Sequence, residues 1–301
     1  MSATVLDIGH LSKTYPGRRG VRATNDVSLS ARAGEVVGLL GHNGAGKTTL
    51  VNQIVGLLRP DGGSIRVAGC DAVAAPHEAR RLVSVQAQAN VPITGLSPRT
   101  AVNLVGRIRG GTRREVSRRA GELLAALELE QWASRPSQNV SGGVARLTAF
   151  AMAAVVPGRL VILDEPTNDV DPMRRRLLWG QIRRLADEGA AVLLVTHNVR
   201  EAESSVDRLV LLDAGSVVAA GTPEELSAEV RRRRADSAGP AGAQESGPAR
   251  PAEFIPEGMR ADAAPMASAP APLSLEDVYL ELVGCREDAP DSAPAYEEAL
   301  S

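Results

Sequence analysis

Lys47 and Thr48 close the run Gly41-His42-Asn43-Gly44-Ala45-Gly46-Lys47-Thr48-Thr49, which fits G-x-x-x-x-G-K-[ST] at every fixed position. The chemistry of such a run is phosphate binding. Glycines let the backbone turn tightly and aim several N–H groups inward. Those donors, with the positive end of the helix dipole that follows, cradle phosphate oxygens. Lys47 then reaches the β- and γ-phosphates, and Thr48 places its hydroxyl on Mg²⁺. A glycine-rich turn that merely started a helix would have no need of a Lys-Thr pair in frame.

A second group of chemistry-bearing residues is Val161-Ile162-Leu163-Asp164-Glu165. A hydrophobic strand ending in two acids suits metal and water: Asp164 is read as holding Mg²⁺, largely through water, and Glu165 as the general base that polarises an attacking water. His197 closes another apolar run, Ala190 to Thr196. In open parallel sheets ligands sit at the carboxyl ends of strands. Gly41, Asp164 and His197 each follow such an end, which places His197 where a γ-phosphate contact is needed.

The elements that must position these residues are legible in outline. Glu35 to Leu40 reads as a buried strand, and Thr49 to Leu58 as a helix with apolar residues at Leu50, Ile54, Leu57 and Leu58. Upstream, Thr4 to Ser12 reads as an edge strand and Thr24 to Ala31 as its antiparallel neighbour. Pro60-Asp61-Gly62-Gly63 is a turn into a short strand, Ser64 to Ala68. Leu82 to Val85 reads as a strand, Thr100 to Arg109 and Arg113 to Leu129 as amphipathic helices inserted between two halves of the core. A helix opens at Ser141-Gly142-Gly143 and another runs from Met173 to Glu188. Ala214-Gly215 is a hairpin signal between Leu209–Asp213 and Ser216–Ala220. Alternating strands and helices give an α/β fold: a P-loop core with a mainly parallel sheet and an antiparallel portion at the N-terminus.

Composition bounds the rest. A chain of 301 residues with 44% hydrophobic and 2% aromatic content must build its core from Ala, Val, Leu and Ile. A formal net charge of −2 argues against nucleic-acid binding through overall charge. Cys70 and Cys285 lack metal-like spacing and read as reduced thiols. The N-terminus has no signal-peptide pattern, and the longest apolar runs are too short to cross a bilayer. From about Ser227 the composition changes. The expected division is a domain over 1–226, a disordered Ala/Pro-rich linker over 227–272, a segment over 273–285 packing back on the domain, and a disordered tail over 286–301. The basic run Arg231 to Arg234 reads as a solvated helix end, with contact to anionic lipid headgroups the alternative.

Taken together, these motifs resemble the nucleotide-binding subunit of an ATP-binding cassette (ABC) transporter. Five elements stand in that family's order over about Leu6 to Leu226: the phosphate loop, a glutamine loop at Gln88, the signature Ser141-Gly142-Gly143, Asp164-Glu165 followed by Asp169-Val170-Asp171, and His197. The resemblance implies a helical signature subdomain, ATP and Mg²⁺ as cofactors, Gln88 beside Thr48 and Asp164 at the metal, and the ring of Tyr15 stacked on adenine. It also implies that the helix opened by Ser141 captures, with its own N–H groups, the γ-phosphate held by an opposing subunit, so that two nucleotides are sandwiched between two cassettes. Closure on ATP and opening after hydrolysis supply the mechanical step.

Departures from the family pattern are specific. Val144 stands where a glutamine is usual, and Arg146 is present with Leu147 in the usual arginine slot. Spacing favours Gln88 over Gln86 as the glutamine-loop residue. The segment Leu273 to Leu280 and Arg174 to Arg176 are similar to the drug-resistance, daunorubicin-exporter-like branch. That branch pairs two ATPase copies with separate transmembrane permease subunits at the cytoplasmic face of the membrane, and exports drugs, lipids or polysaccharides. Two other readings stand beside it: a cassette of weak hydrolysis acting as a regulatory half, and a soluble ribosome- or DNA-associated ATPase.

Overall fold

The computed structural model describes residues 2–16, 20–88, 95–198 and 205–237, together with Asp277, Leu280, Glu281 and Val283. Two sheets carry the architecture. The first is antiparallel, in the order β2-β1-β4-β5, from β1 (Thr4–Tyr15), β2 (Val21–Arg32), β4 (Gly62–Val67) and β5 (Cys70–Asp71). The second runs β10-β9-β3-β8-β7-β6, from β3 (Val36–Leu40), β6 (Val83–Gln86), β7 (Leu160–Asp164), β8 (Ala191–Thr196), β9 (Arg208–Asp213) and β10 (Ser216–Gly221). Within it β9, β3, β8, β7 and β6 are mutually parallel, and only the last hairpin strand, β10, is antiparallel.

The longer helices among the described residues are α1 (Lys47–Ile54), α2 (Pro76–Leu82), α3 (Pro98–Ile108), α4 (Arg113–Ala126), α5 (Gly142–Ala154), α6 (Pro172–Asp187) and α7 (Pro223–Ser237). The central parallel strands β3, β7 and β8 are short, largely apolar and buried on both faces, as strands covered on two sides must be, while β6 at the edge leaves Val85 exposed. Alternation along them divides the core. Val36, Leu40, Val161, Leu163, Val192 and Leu194 face the cluster formed with α3 to α6. Val37, Leu39, Leu160, Ile162, Leu193 and Val195 face the cluster formed with α1 and the antiparallel sheet. Phe150 is the one aromatic among the largest fully buried side chains, so Leu, Ile, Val and Ala do fill the interior.

Two expectations need correction. The first strand is not an edge: β1 lies between β2 and β4, and β2 and β5 are the edges. The last helix runs through the expected boundary at Leu226, because Val230 is fully buried and prolongs the helix face begun by Leu226. On that helix Arg231 to Arg234 are exposed, and Arg232 and Arg233 pair with Glu229. Arg234 pairs with Glu281, and Val283 lies partly buried against the main core. The rest of the expected linker, Cys285 and the tail lie outside the described residues.

Candidate functional site

The order β3-β8-β7-β6 sets four carboxyl ends side by side, with Leu40 opposite Thr196, Asp164 opposite Val195 and Gln86 opposite Leu163. The Gly41–Lys47 loop, His197, Asp164-Glu165 and Gln86–Gln88 therefore leave the sheet at one edge. This contiguity is what brings residues separated by more than a hundred positions into one site.

Gly46 caps α1 with φ 102 and offers no side-chain cap, so the first-turn N–H groups of α1 keep their donors for a ligand. Only glycine fits there: a Cβ would stand 2.2 Å from the Ala23 carbonyl oxygen, on β2. Lys47 Nζ donates to the carbonyls of Gly41 (2.6 Å) and His42 (3.0 Å), so its charge sits inside the loop. Burial lowers the Lys47 pKa, and the charges of Glu165 and Asp164 oppose that shift. The His42 ring bridges the Asn43 carbonyl and the Asp213 carboxylate, tying the loop to the end of β9. Tyr15, at the end of β1, brings its hydroxyl to 3.5 Å from Thr49 Oγ1 on α1.

Asp164 ends β7 almost buried, and its pKa is pushed up to about 6 by burial and then by the Glu165 charge, against the pull of Lys47 and Arg146. Glu165 is 3% exposed and adopts φ 48, a left-handed conformation in which a non-glycine residue is strained. Its N–H is held by the Val195 carbonyl. Its carboxylate accepts from Thr196 Oγ1 at 3.0 Å and from the His197 N–H at 2.9 Å, with the His197 ring Nδ1 at 2.6 Å.

Thr48, Asp164 and Gln88 line one cleft of about 500 Å³, together with Val51, Val83 and Val85. Its hydroxyl, amide and carboxylate oxygens are the hard donors that Mg²⁺ takes alongside phosphate and water. Among the described residues no cluster of three or more His, Cys, Asp or Glu could hold a metal alone. Gln86, by contrast, is 1% exposed and points into the protein.

The signature lies apart from that cleft. Ser141 caps α5, its Oγ accepting from the Val144 N–H at 3.4 Å. Gly142 and Gly143 form the first turn. A Cβ on Gly143 would stand 2.5 Å from the Asp169 carbonyl oxygen, so the turn after Glu165 presses on this helix tip. Asp171 in turn caps α6, accepting from the Arg174 N–H and pairing with its guanidinium, which also lies over the Trp132 ring. Val144 is buried in the core, and the bond to the helix cap is made by its backbone N–H, which the departure from glutamine leaves in place. In the sequence Arg146 stands out only as an arginine one place before the usual slot. It is a buried guanidinium in an otherwise uncharged helix, and that solitary charge is the available signal.

Comparison with known proteins agrees with this geometry. The ABC transporter family model matches residues 24–168. The chain is 37% identical over 225 residues to the daunorubicin/doxorubicin resistance ATP-binding protein DrrA of Streptomyces peucetius, covering 75% of this chain and 67% of that one. This chain belongs to the ABC transporter ATP-binding family. The cassette is also 39% identical over 219 residues to the doxorubicin resistance ATP-binding protein DrrA of Mycobacterium tuberculosis, covering 73% of this chain and 66% of that protein, just under two thirds of its length. Among solved structures, an ATP-binding subunit of an ABC transporter superposes with TM-score 0.73 at 27% identity, over 92% of this chain and 99% of that one. A dimeric ATP-binding cassette in a post-hydrolysis state with ADP and Pi superposes with TM-score 0.66 at 25% identity, over 72% and 98%. No helix among the described residues is long and apolar enough to cross a membrane.

Proposed function

We propose that this cassette binds Mg²⁺-ATP and hydrolyses it to ADP and phosphate, driving export of a drug-like, lipid or polysaccharide substrate through separate transmembrane subunits at the cytoplasmic face. The observation that carries the reading is the single edge on which the Lys47 loop, the Glu165–His197 pair and the Thr48–Gln88–Asp164 cleft meet. The loop N–H groups and Lys47 grip the β- and γ-phosphates. Thr48, Asp164 and Gln88 hold Mg²⁺, which when bound neutralises charge on the phosphate oxygens. Glu165 accepts the proton of the attacking water, and the Thr196 and His197 donors fix its carboxylate for that task. His197 contacts the γ-phosphate and Tyr15 stacks on adenine. The names of the relatives, which are drug-resistance ATP-binding proteins, support the exporter class.

The second half of each site comes from a second copy, whose Ser141-Gly142-Gly143 tip meets the γ-phosphate gripped by Lys47 of the first. The dimeric architecture of the similar post-hydrolysis cassette supports this pairing. Trapping the full chain with a non-hydrolysable ATP analogue and solving the complex tests it. The expected result is a two-fold dimer with each nucleotide between one copy's Lys47 loop and the other's Ser141 tip; tips that lie remote from each other overturn the reading.

A further inference from the structure

Arg146 is a buried charge to which the nucleotide chemistry above gives no task beyond its pull on Asp164. It is 5% exposed, on the inner side of α5. Burying a guanidinium without compensation is costly. Among the described residues no carboxylate stands within ion-pair distance of it. Instead its Nη1 donates to two backbone carbonyls, Ala87 at 3.2 Å and Gln88 at 2.7 Å. In the other direction, Gln86 Nε2 donates to the Arg146 carbonyl at 3.4 Å. The strand end that presents Gln88 to the metal cleft is thus tied to the helix that begins at Ser141, and all three bonds run through one residue.

Two atoms in this joint are unsatisfied. Arg146 Nε, a donor, and Gln86 Oε1, an acceptor, are both buried with no hydrogen-bond partner. Orphaned buried polar groups are rare in folded proteins. Here the two are complementary, a donor and an acceptor, on residues already joined by the bond from Gln86 Nε2 to the Arg146 carbonyl.

We infer that Arg146 is a positioning residue for Gln88: it couples the place of the signature helix to the place of Gln88 at the Thr48–Asp164 cleft, and the Arg146 Nε–Gln86 Oε1 bond is the contact completed when the two segments shift. This rests on the reading of Gln88 given above. The geometry favours coupling over simple core filling because a packing residue would not need two carbonyls of one exposed segment.

The test uses the full chain and two readouts. Arg146→Met keeps the volume and removes the donors; Arg146→Lys keeps the charge and removes the planar fork. In hydrogen exchange without nucleotide, the peptide over Ser84–Gln88 in R146M should exchange about tenfold faster than wild type, with β3 unchanged. In steady-state hydrolysis, R146M should lower kcat about tenfold with KM for ATP within about twofold. In a Gln88→Ala background the same change should cost less than about twofold, since Arg146 then has no Gln88 to position. R146K should fall between wild type and R146M, and serves in its place if R146M does not fold. Unchanged exchange at Ser84–Gln88 in either folded variant overturns the inference, as do kcat losses of R146M and Q88A that multiply. A chain that hydrolyses no ATP at all overturns the proposed function instead, and the exchange result still decides the role of Arg146.

Discussion

The His197 ring Nδ1 lies 2.6 Å from Glu165 Oε1, the same oxygen that accepts the His197 backbone N–H at 2.9 Å. One residue thus grips the buried carboxylate twice, while Thr196 Oγ1 holds the other oxygen. Glu165 is oriented in advance, at the end of a strand and in a strained left-handed conformation that β7, β8 and these bonds together maintain. With Nδ1 turned to the carboxylate, the Nε2 edge of His197 is the one left to face a ligand.

Glu165→Gln should therefore keep the shape of the site and lose its base. Hydrolysis by the full chain should fall by about 10²-fold or more, with ATP affinity retained, because general-base catalysis is worth about that much. Phosphate release and equilibrium binding of a fluorescent ATP analogue check both halves. Wild-type turnover no faster than that of E165Q would contradict the assignment.

Gln86 and Gln88 should separate cleanly. Gln88→Ala removes a side chain that lines the Thr48–Asp164 cleft and holds nothing in the core. It should slow hydrolysis about tenfold and leave the melting temperature nearly unmoved. Gln86→Ala opens space at a position that is 1% exposed and breaks the contact to the Arg146 carbonyl. It should cost about 1–2 kcal/mol in urea unfolding. Reversed outcomes would assign the glutamine-loop role to Gln86.

The two signature glycines should also differ. A Cβ on Gly143 meets the Asp169 carbonyl oxygen at 2.5 Å, a backbone atom that cannot swing aside. On Gly142 the nearest atoms stand 3.6 Å away, an ordinary contact. Gly143→Ala should destabilise by about 1–3 kcal/mol, as overpacking does, and Gly142→Ala by under about 0.5 kcal/mol. Urea unfolding of the two variants side by side measures the difference, and equal values would contradict it.

What could be read from the chain, and what could not, divides along one physical line. The phosphate loop, the Asp164-Glu165 strand end and the Ala214-Gly215 hairpin are local signals, set by neighbours in sequence. The place of β1 was not legible, because edge or interior is decided by β4, which pairs with it from some fifty residues away. The extension of α7 was masked by arginines whose charge dominates the local composition, although Leu226 and Val230 keep a buried helical face beneath them. Arg146 was opaque for a different reason. Its partners are the carbonyls of Ala87 and Gln88, and backbone acceptors leave no mark in a sequence.

Asp164 gives the protein a pH-dependent weakness. Its pKa rises from 3.8 to about 6 on folding, chiefly through burial and then through the Glu165 charge. Between those values the folded state binds more protons than the unfolded state, so stability falls as pH rises. The contribution of this carboxyl is complete below pH 3.8 and is lost as pH passes through about 6. At 1.36 kcal/mol per pKa unit the shift corresponds to about 3 kcal/mol, reduced in a variant by whatever Lys47 loses with its partner. Asp164→Asn should accordingly be more stable than wild type by about 1–3 kcal/mol at pH 8, and by almost nothing at pH 4, in urea unfolding without nucleotide or Mg²⁺. Mg²⁺-ATP should reverse the order at pH 8, since the ionised carboxylate gains a cation and the amide gains far less. A stability gain of D164N that is the same at both pH values would show that Asp164 carries no such shift.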